Sequence, residues 1–219
     1  MTTASIAKPV AARKYSLPGV LGVVFAFVWL GSGIKPLLVE DWWLENLLVI
    51  LFVGVLAATY RRFQFSDLSY VLIFVFLCLH EWGAHYRYAF VPMGEWMRQI
   101  FHTVRNDYDR VVHFAFGALL AYPQREILMR KANLRGAWPL WLPVVITLGF
   151  GAAYEIMEAV VAVVASPDAG DAFLGLQGDP WDTHKDMFMG FAGAVIAMSI
   201  TAAGVRIRKA QARAAVGMR

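Results

Sequence analysis

The chain has little charge and almost no cysteine. Only 16% of its 219 residues are Asp, Glu, Lys or Arg, and Cys78 is the single cysteine. One thiol excludes a disulfide framework and a cysteine-ligated metal cluster. Soluble domains carry about 25% charged residues, so the shortage of charge argues against a soluble fold. The first 17 residues lack the pattern of a cleaved signal peptide, and we expect the first apolar segment to be retained.

Long apolar segments take the place of the missing charge. Hydrophobic residues make up 59% of the chain, and about 20 consecutive apolar residues suffice to cross a bilayer as a helix. Six segments approach this length, at 17–34, 43–60, 68–90, 108–122, 138–164 and 182–204. Helices are expected because the bilayer core has no water for open backbone groups. The helix at 108–122 is expected to end before Pro123.

The stretch between the third and fourth segments has a different pattern. In GEWMRQIFHTVRND, the residues Trp96, Ile100, Phe101 and Val104 recur at roughly helical spacing among charged residues, which predicts a short helix in the interface. The predicted fold is therefore all-α, a polytopic membrane bundle of six transmembrane helices plus a short interfacial helix. We divide it into an N-terminal tail (1–16), a transmembrane domain (17–204) and a basic C-terminal tail (205–219).

The positions of the basic residues predict the orientation. With six spans, one side of the membrane receives both termini, the loop after span two and the loop after span four. That side holds 14 of the 20 Lys and Arg residues, and the positive-inside rule makes it cytoplasmic. Because these residues lie between hydrophobic segments, the net charge of +4 does not indicate a nucleic-acid partner. We expect the lipid bilayer as the partner.

The acidic residues and histidines have the opposite distribution. Only Asp67 and Glu126 fall on the cytoplasmic side, and all five histidines lie on the outer side. Four spans each carry a pair of such residues three or four positions apart, which places both on one helix face. The pairs are Glu81–His85, Asp109–His113, Glu155–Glu158 and Asp182–Asp186. His80 and His85 are five apart, so the HExxH zinc-protease geometry does not apply.

Acids inside a membrane span are costly and usually functional. An aspartate at a helix centre costs about 2.5–3.5 kcal/mol on insertion scales. Either cations neutralise these groups or some of the acids are protonated. Oxygen and imidazole ligands without thiolate suit Zn, Mn or Fe(II), whereas an all-oxygen subset suits Mg or Ca. We therefore predict a divalent metal, with Zn, Mn or Fe favoured.

Each candidate residue receives a predicted role. The catalytic candidates are Glu81, Asp109, Glu155 and Glu158. The metal-ligand candidates are His80, His85, His113, Asp182, His184 and Asp186. Arg87, Arg110 and Asp179 are the substrate-binding candidates, because arginine forks hold anionic headgroups.

Simpler interpretations remain open for several of these residues. The Glu81–His85 and Asp109–His113 pairs also fit interhelical hydrogen bonds that only hold the bundle together. His184 also fits a solvated loop position, and Asp179 fits a helix-entry residue.

Four motifs carry a family resemblance. HEWGAHYRY, NDYDRVVHFAFG, AAYEIMEA and GDPWDTHKDMFMGFAGA resemble the YjdF family of bacterial inner-membrane proteins, over roughly Pro18 to Ala203. This resemblance implies a bacterial inner membrane, and it implies no particular chemistry because that family has no established activity. The Asp109–His113–Phe114 element, Glu155 and the D-x3-D element also resemble the VanZ-like family, associated with resistance to glycopeptide antibiotics. Where that family typically has a polar amide residue, this chain has Met157 and Glu158.

The favoured function is an outward-facing, metal-dependent membrane enzyme that acts on a lipid or cell-envelope substrate. An ion- or proton-coupled transporter is the first alternative, since intramembrane carboxylates carry protons in many transporters. A non-catalytic protein that binds an envelope ligand is the second alternative, and it requires the same residues without turnover.

Overall fold

The computed structural model describes residues 16–164 and 177–217. Within these residues the secondary structure is helical, without a strand. The helices are α1 (Leu17–Ser32), α2 (Val39–Thr59), α3 (Asp67–His85), α4 (Pro92–Phe101), α5 (Tyr108–Arg130), α6 (Trp138–Val164) and α7 (Asp182–Gly217). The predicted all-α class is therefore confirmed for the described part of the chain.

Four of these helices are long and apolar enough to cross a membrane: α2, α3, α6 and α7. Helix α1 is apolar but has only 16 residues, and α5 carries charged residues at both ends. The side chains of Phe27, Leu47 and Ile156 are more than 60% exposed. Apolar side chains exposed to this extent on long helices are typical of contact with lipid.

Two predicted helix ends were wrong. Helix α5 does not stop before Pro123 but continues to Arg130. Proline removes one intrahelical hydrogen bond, and contacts beyond it offset this loss. The Glu126 carboxylate accepts hydrogen bonds from the Ser66 backbone N–H (2.9 Å) and the Ser69 hydroxyl (2.6 Å) at the start of α3. Helix α7 likewise runs past Gly204 to Gly217, so it extends through most of the basic tail.

Two other segments also differ in detail from the sequence prediction. Helix α3 ends at His85 rather than near residue 90, and Arg87 and Tyr88 adopt positive φ angles of 55° and 49° that turn the chain. The predicted short helix is confirmed as α4, but it ends at Phe101, and Val104 lies beyond it with a fully exposed side chain.

Helix α5 occupies the centre of the bundle and packs against α3, α6 and α7. It approaches α7 most closely at two glycines. A Cβ atom added to Gly117 would collide with the Gly190 carbonyl oxygen, and one added to Gly193 would collide with the Phe114 carbonyl oxygen. Small residues permit this backbone contact, which is how helices associate in lipid without a hydrophobic driving force. The crossing brings the N-terminal halves of α5 and α7 together.

Candidate functional site

An acid–histidine centre lies where α5, α6 and α7 meet, and we define it as Asp109, His113, Glu155 and Asp186. The His113 Nε2 atom lies 3.5 Å from Asp109 Oδ1 and 3.7 Å from Glu155 Oε1. One donor atom each from Asp109, His113 and Asp186 falls within a mutual distance of 4.8 Å. Three of the four predicted polar pairs therefore contribute at least one residue to the acid–histidine centre.

The geometry of each helix explains how these side chains meet. Asp109 and His113 are four residues apart and share one face of α5. Asp186 lies one turn inside α7, whose close contact with α5 at Gly193 positions that face. Glu155 reaches the centre from the buried face of α6.

Two carboxylates of the centre are buried, and one oxygen of each lacks a hydrogen-bond partner among the described residues. Glu155 is 7% exposed and Asp186 is 2% exposed. Glu155 Oε1 and Asp186 Oδ1 have no hydrogen-bond partner among the described residues. A buried carboxylate oxygen without a partner is unfavourable unless a proton or a cation neutralises it. Two carboxylates and one imidazole within reach of each other suit Zn, Mn or Fe(II).

A network of ion pairs lies beside this centre at the start of α7. Arg110 Nη1 donates to Asp107 (2.7 Å), and its Nη2 donates to Asp179 (2.6 Å). Arg105 and Arg110 both contact Asp182 Oδ1, the latter at 3.4 Å. Lys185 Nζ also donates to Asp179 Oδ2 at 2.6 Å. We call these residues the arginine–aspartate network: Arg105, Asp107, Arg110, Asp179, Asp182 and Lys185.

Asp179 lies in the loop before α7 and carries a negative charge at all ordinary pH values. Hydrogen bonds from the Lys185 ammonium group and from the Trp181 backbone N–H lower its pKa from 3.8 to about 2. Its backbone carbonyl accepts from the Asp182 N–H at 3.2 Å. Asp179 therefore acts as a helix-entry residue and as an ion-pair partner at once.

The fourth predicted pair, Glu81 and His85, lies elsewhere. Glu81 is 1% exposed, and its Oε2 accepts a hydrogen bond from the Ser32 hydroxyl of α1 at 2.5 Å. The Ser32 hydroxyl also accepts from Trp42 Nε1 at 3.1 Å, and the Ser32 carbonyl lies 2.8 Å from His85 Nδ1. These contacts join α1, α2 and α3, as the simpler interpretation of this pair predicts. Glu81 Oε1 has no hydrogen-bond partner among the described residues.

His80 contacts a different set of residues. Its Nδ1 lies 2.6 Å from the Tyr88 hydroxyl, and its Nε2 lies 3.9 Å from Glu45 Oε2. The Glu45 carboxylate in turn accepts from the Tyr154 hydroxyl at 3.0 Å. The Tyr154 ring packs edge-on against the His113 ring, with centroids 6.0 Å apart. A chain of buried polar contacts thus leads from α2 and α3 to the acid–histidine centre.

The other predicted residues lie outside the centre. Glu158 is half-buried on α6, near enough to Asp109 and Glu155 for their charges to interact. His184 is exposed and packs on Trp181, with ring centroids 5.3 Å apart. Arg87 Nε donates to Asp41 at 2.6 Å, away from the arginine–aspartate network.

Several residues of the site were not predicted from the sequence. Glu45 is a carboxylate two turns inside an apolar helix, and this position could have identified it as a candidate site residue. Tyr154 directly precedes Glu155 and has a hydroxyl for a buried partner. Arg105 and Asp107 lie in the loop before α5, and only the folded chain shows that Arg105 pairs both with Asp107 and with Asp182 of α7.

The long apolar helices around a buried polar centre define a multi-pass integral membrane protein. The chain belongs to the family described as "Predicted membrane protein (DUF2238)", which matches residues 17–207. It is similar to the inner membrane protein YjdF of Escherichia coli (strain K12), with 39% identity over 155 residues, covering 70% of this chain and 74% of the E. coli protein. The predicted resemblance to the YjdF family is thereby confirmed. No solved structure matches the chain.

Proposed function

We propose that this protein is a metal-dependent enzyme of the bacterial inner membrane, with its acid–histidine centre open to the outer face. One observation carries the proposal: Asp109, His113 and Asp186 converge within 4.8 Å, and buried carboxylate oxygens beside them lack partners. The substrate we propose is a lipid or another cell-envelope molecule, because the centre lies among membrane-spanning helices.

The proposed topology has six spans, with α1 and α5 added to the four long apolar helices. Both termini then lie in the cytoplasm, together with Arg61, Arg62 and the basic end of α7, as the positive-inside rule favours. The similarity to an inner membrane protein of E. coli supports the location. Short α1 is compatible with this topology because bilayers thin locally around short spans.

We assign a different chemical role to each group of residues in the centre. Asp109, His113 and Asp186 would hold the cation, which when bound would supply a nucleophile at neutral pH. Glu155, whose Oε1 lies 3.7 Å from His113 Nε2, would act first as general base and then as general acid towards the leaving group. We keep Asp182 out of the ligand set, since Arg105 and Arg110 contact its Oδ1.

Elemental analysis of the detergent-purified protein tests this proposal. We expect stoichiometric metal in the wild type and its loss in Asp186→Asn, because a neutral amide is a much weaker ligand than a carboxylate. Asp67→Asn is the matched control, since Asp67 lies in the first turn of α3, at the end of that helix opposite Glu81. Monodisperse wild-type protein that stays metal-free after incubation with Zn, Mn and Fe(II) salts contradicts the proposal.

A proton- or ion-coupled transporter is the second candidate, favoured by one contact deeper in the bundle. Gln124 of α5 donates to the buried Thr147 hydroxyl of α6 at 3.2 Å, which adds a polar step between the centre and Glu126. Ion flux in proteoliposomes that Gln124→Leu abolishes supports transport. A non-catalytic binding protein is distinguished from both by ligand affinity without turnover or flux.

A further inference from the structure

We infer that Arg110 and Lys185 form an anion subsite for a phosphate group, and that Asp179 occupies this subsite when no ligand is bound. The inference rests on the proposed function, because it names the substrate class that the same centre takes. The subsite would bind a phosphate-bearing molecule and hold it next to Asp109 and Asp186.

The position of one oxygen atom supports this inference. Asp179 Oδ2 accepts from Arg110 Nη2 and from Lys185 Nζ, both at 2.6 Å. A guanidinium nitrogen and an ammonium group that converge on one oxygen are donors that also bind phosphate oxygens. The carboxylate oxygen therefore lies where a phosphate oxygen would be bound.

Arg110 is held in place independently of Asp179. Arg110 keeps a second partner, Asp107, at 2.7 Å through its other terminal nitrogen, so its guanidinium stays oriented if Asp179 leaves. The Arg110 Nε atom is buried and has no hydrogen-bond partner among the described residues. Asp179 belongs to a loop, directly after Gly178 with its positive φ of 83°. The Asp179 carboxylate, in contrast, reaches Arg110 and Lys185 from a residue outside α5 and α7.

The subsite is both accessible and adjacent to the centre. The side chains of Arg110 and Asp179 are 19% and 16% exposed, and that of Lys185 is 49% exposed. Arg110 directly follows Asp109 on α5, and Lys185 directly precedes Asp186 on α7. A phosphate bound between Arg110 and Lys185 therefore touches the same two helices that carry the proposed metal ligands.

Charge balance explains why Asp179 would set the specificity. The network pairs Arg105, Arg110 and Lys185 with three aspartates, so it is neutral in this state. When Asp179 moves away, Arg110 and Lys185 each lose one negatively charged partner, which favours an incoming anion. A substitution that removes the negative charge of Asp179 should therefore increase phosphate affinity. Loss of an ordinary structural ion pair would not increase it.

Isothermal titration of the full-length purified protein with inorganic phosphate tests the subsite. We expect Asp179→Asn to bind phosphate about tenfold more tightly than the wild type, because a competing charge-assisted contact is removed. In the Asp179→Asn background, a second substitution, Arg110→Gln or Lys185→Gln, should abolish the gain in phosphate affinity. The matched control is Asp41→Asn, which frees Arg87 from a pair of the same length, 2.6 Å, and should leave phosphate affinity unchanged.

Two results would overturn the inference. One is unchanged phosphate affinity in Asp179→Asn that remains monodisperse on gel filtration. The other is an equal gain in Asp41→Asn, which reports a general charge effect. Lys185→Gln provides a second route if Asp179→Asn does not fold, because its exposed side chain is tolerant of change and its loss should weaken phosphate binding in the wild type.

The source of the phosphate group is distinguished in nanodiscs. If the subsite takes a lipid headgroup, phosphatidylglycerol should weaken phosphate binding to Asp179→Asn by competition, relative to phosphatidylcholine. If it takes a free phosphate compound, the two affinities should agree, and both results support the subsite.

Metal content measured on the same samples separates the two proposals. A metal-loaded protein without phosphate binding overturns only the subsite, and a metal-free protein that binds phosphate overturns only the metal-dependent function.

Discussion

At the scale of single residues, the buried polar groups differ in how well they are satisfied. Glu126 has several hydrogen-bond donors around it, and Asn46 both donates to the Trp42 carbonyl and accepts from Trp29. Glu155 and Asp186 each retain an unpartnered oxygen among the described residues. Since natural proteins satisfy nearly all buried polar atoms, these two oxygens, close to His113, are candidate positions for a ligand.

Ser32 should be a critical residue for the association of α1, α2 and α3. Its hydroxyl contacts both Glu81 and Trp42, so Ser32→Ala leaves two buried partners unsatisfied. We expect a loss of about 1–2 kcal/mol in the free energy of unfolding in detergent. Thr59→Ala is the control, because among the described residues that hydroxyl bonds carbonyl groups of its own helix, Val55 and Leu56. Equal stability of the two variants would refute this role.

Asp179 should give the protein a specific response to acid. Its pKa in the folded state, about 2, is below the ordinary value of 3.8 because Lys185 and the Trp181 N–H donate to it. A lowered pKa means that the stabilisation is complete above pH 3.8 and disappears as the pH falls towards 2. We expect the melting temperatures of wild type and Asp179→Asn to differ by a constant amount above about pH 5 and to converge below pH 3. A difference that grows on acidification contradicts this.

At the scale of helices, the crossing of α5 and α7 determines the geometry of the centre. Carbonyl oxygens of one helix face glycines of the other at Gly117 and Gly193. This close approach places the face with Asp109 and His113 against the first turns of α7. Changes at the crossing should therefore affect stability and metal affinity together.

Gly193→Ala tests this coupling. The added Cβ atom collides with the Phe114 carbonyl, and we expect a loss of about 1–3 kcal/mol in the free energy of unfolding, together with weaker metal binding. Gly204→Ala on the same helix is the control, because nothing lies within 4 Å of the added atom. Alanine there should be neutral or stabilise by up to about 1 kcal/mol. Unfolding titrations and metal dissociation measured on both variants provide the readouts.

At the scale of the whole molecule, the proposed topology assigns each loop to one side of the membrane. Six spans place the α4–α5 loop outside and the α5–α6 loop inside. In a Cys78→Ala background, His102→Cys should react with a membrane-impermeant maleimide in intact cells. Ala132→Cys should react only after the membrane is permeabilised, since both positions are exposed and differ only in side. Labelling of both variants in intact cells excludes the proposed topology.

Much of the fold was predictable from local pattern. The bounds of α6 and the start of α7 coincide with the predicted segments, because long apolar runs leave the backbone no alternative to a helix in lipid. The continuation of α5 past Pro123 was not predictable, because it depends on Glu126 binding the start of α3. A contact between residues 60 positions apart leaves no trace in local spacing.

The candidate site was predictable in part. Helical spacing alone placed Asp109 with His113 and Asp182 with Asp186, since residues four apart share a helix face. It did not distinguish the pair that binds neighbouring helices, Glu81 and His85, from the pairs that meet each other. Spacing reports which residues share a face of one helix, and it contains nothing about which helix that face contacts.

The amino-acid sequence by itself determined that the chain has little charge, that it forms apolar helices, and that its acids and histidines gather towards one end. Tertiary structure decided which of them meet. Backbone contact at Gly117 and Gly193 brings Asp109, His113 and Asp186 together, while Arg105 and Arg110 form ion pairs with Asp182. The physical reason is that hydropathy and helical spacing act within one segment, whereas ligand geometry depends on the packing of three.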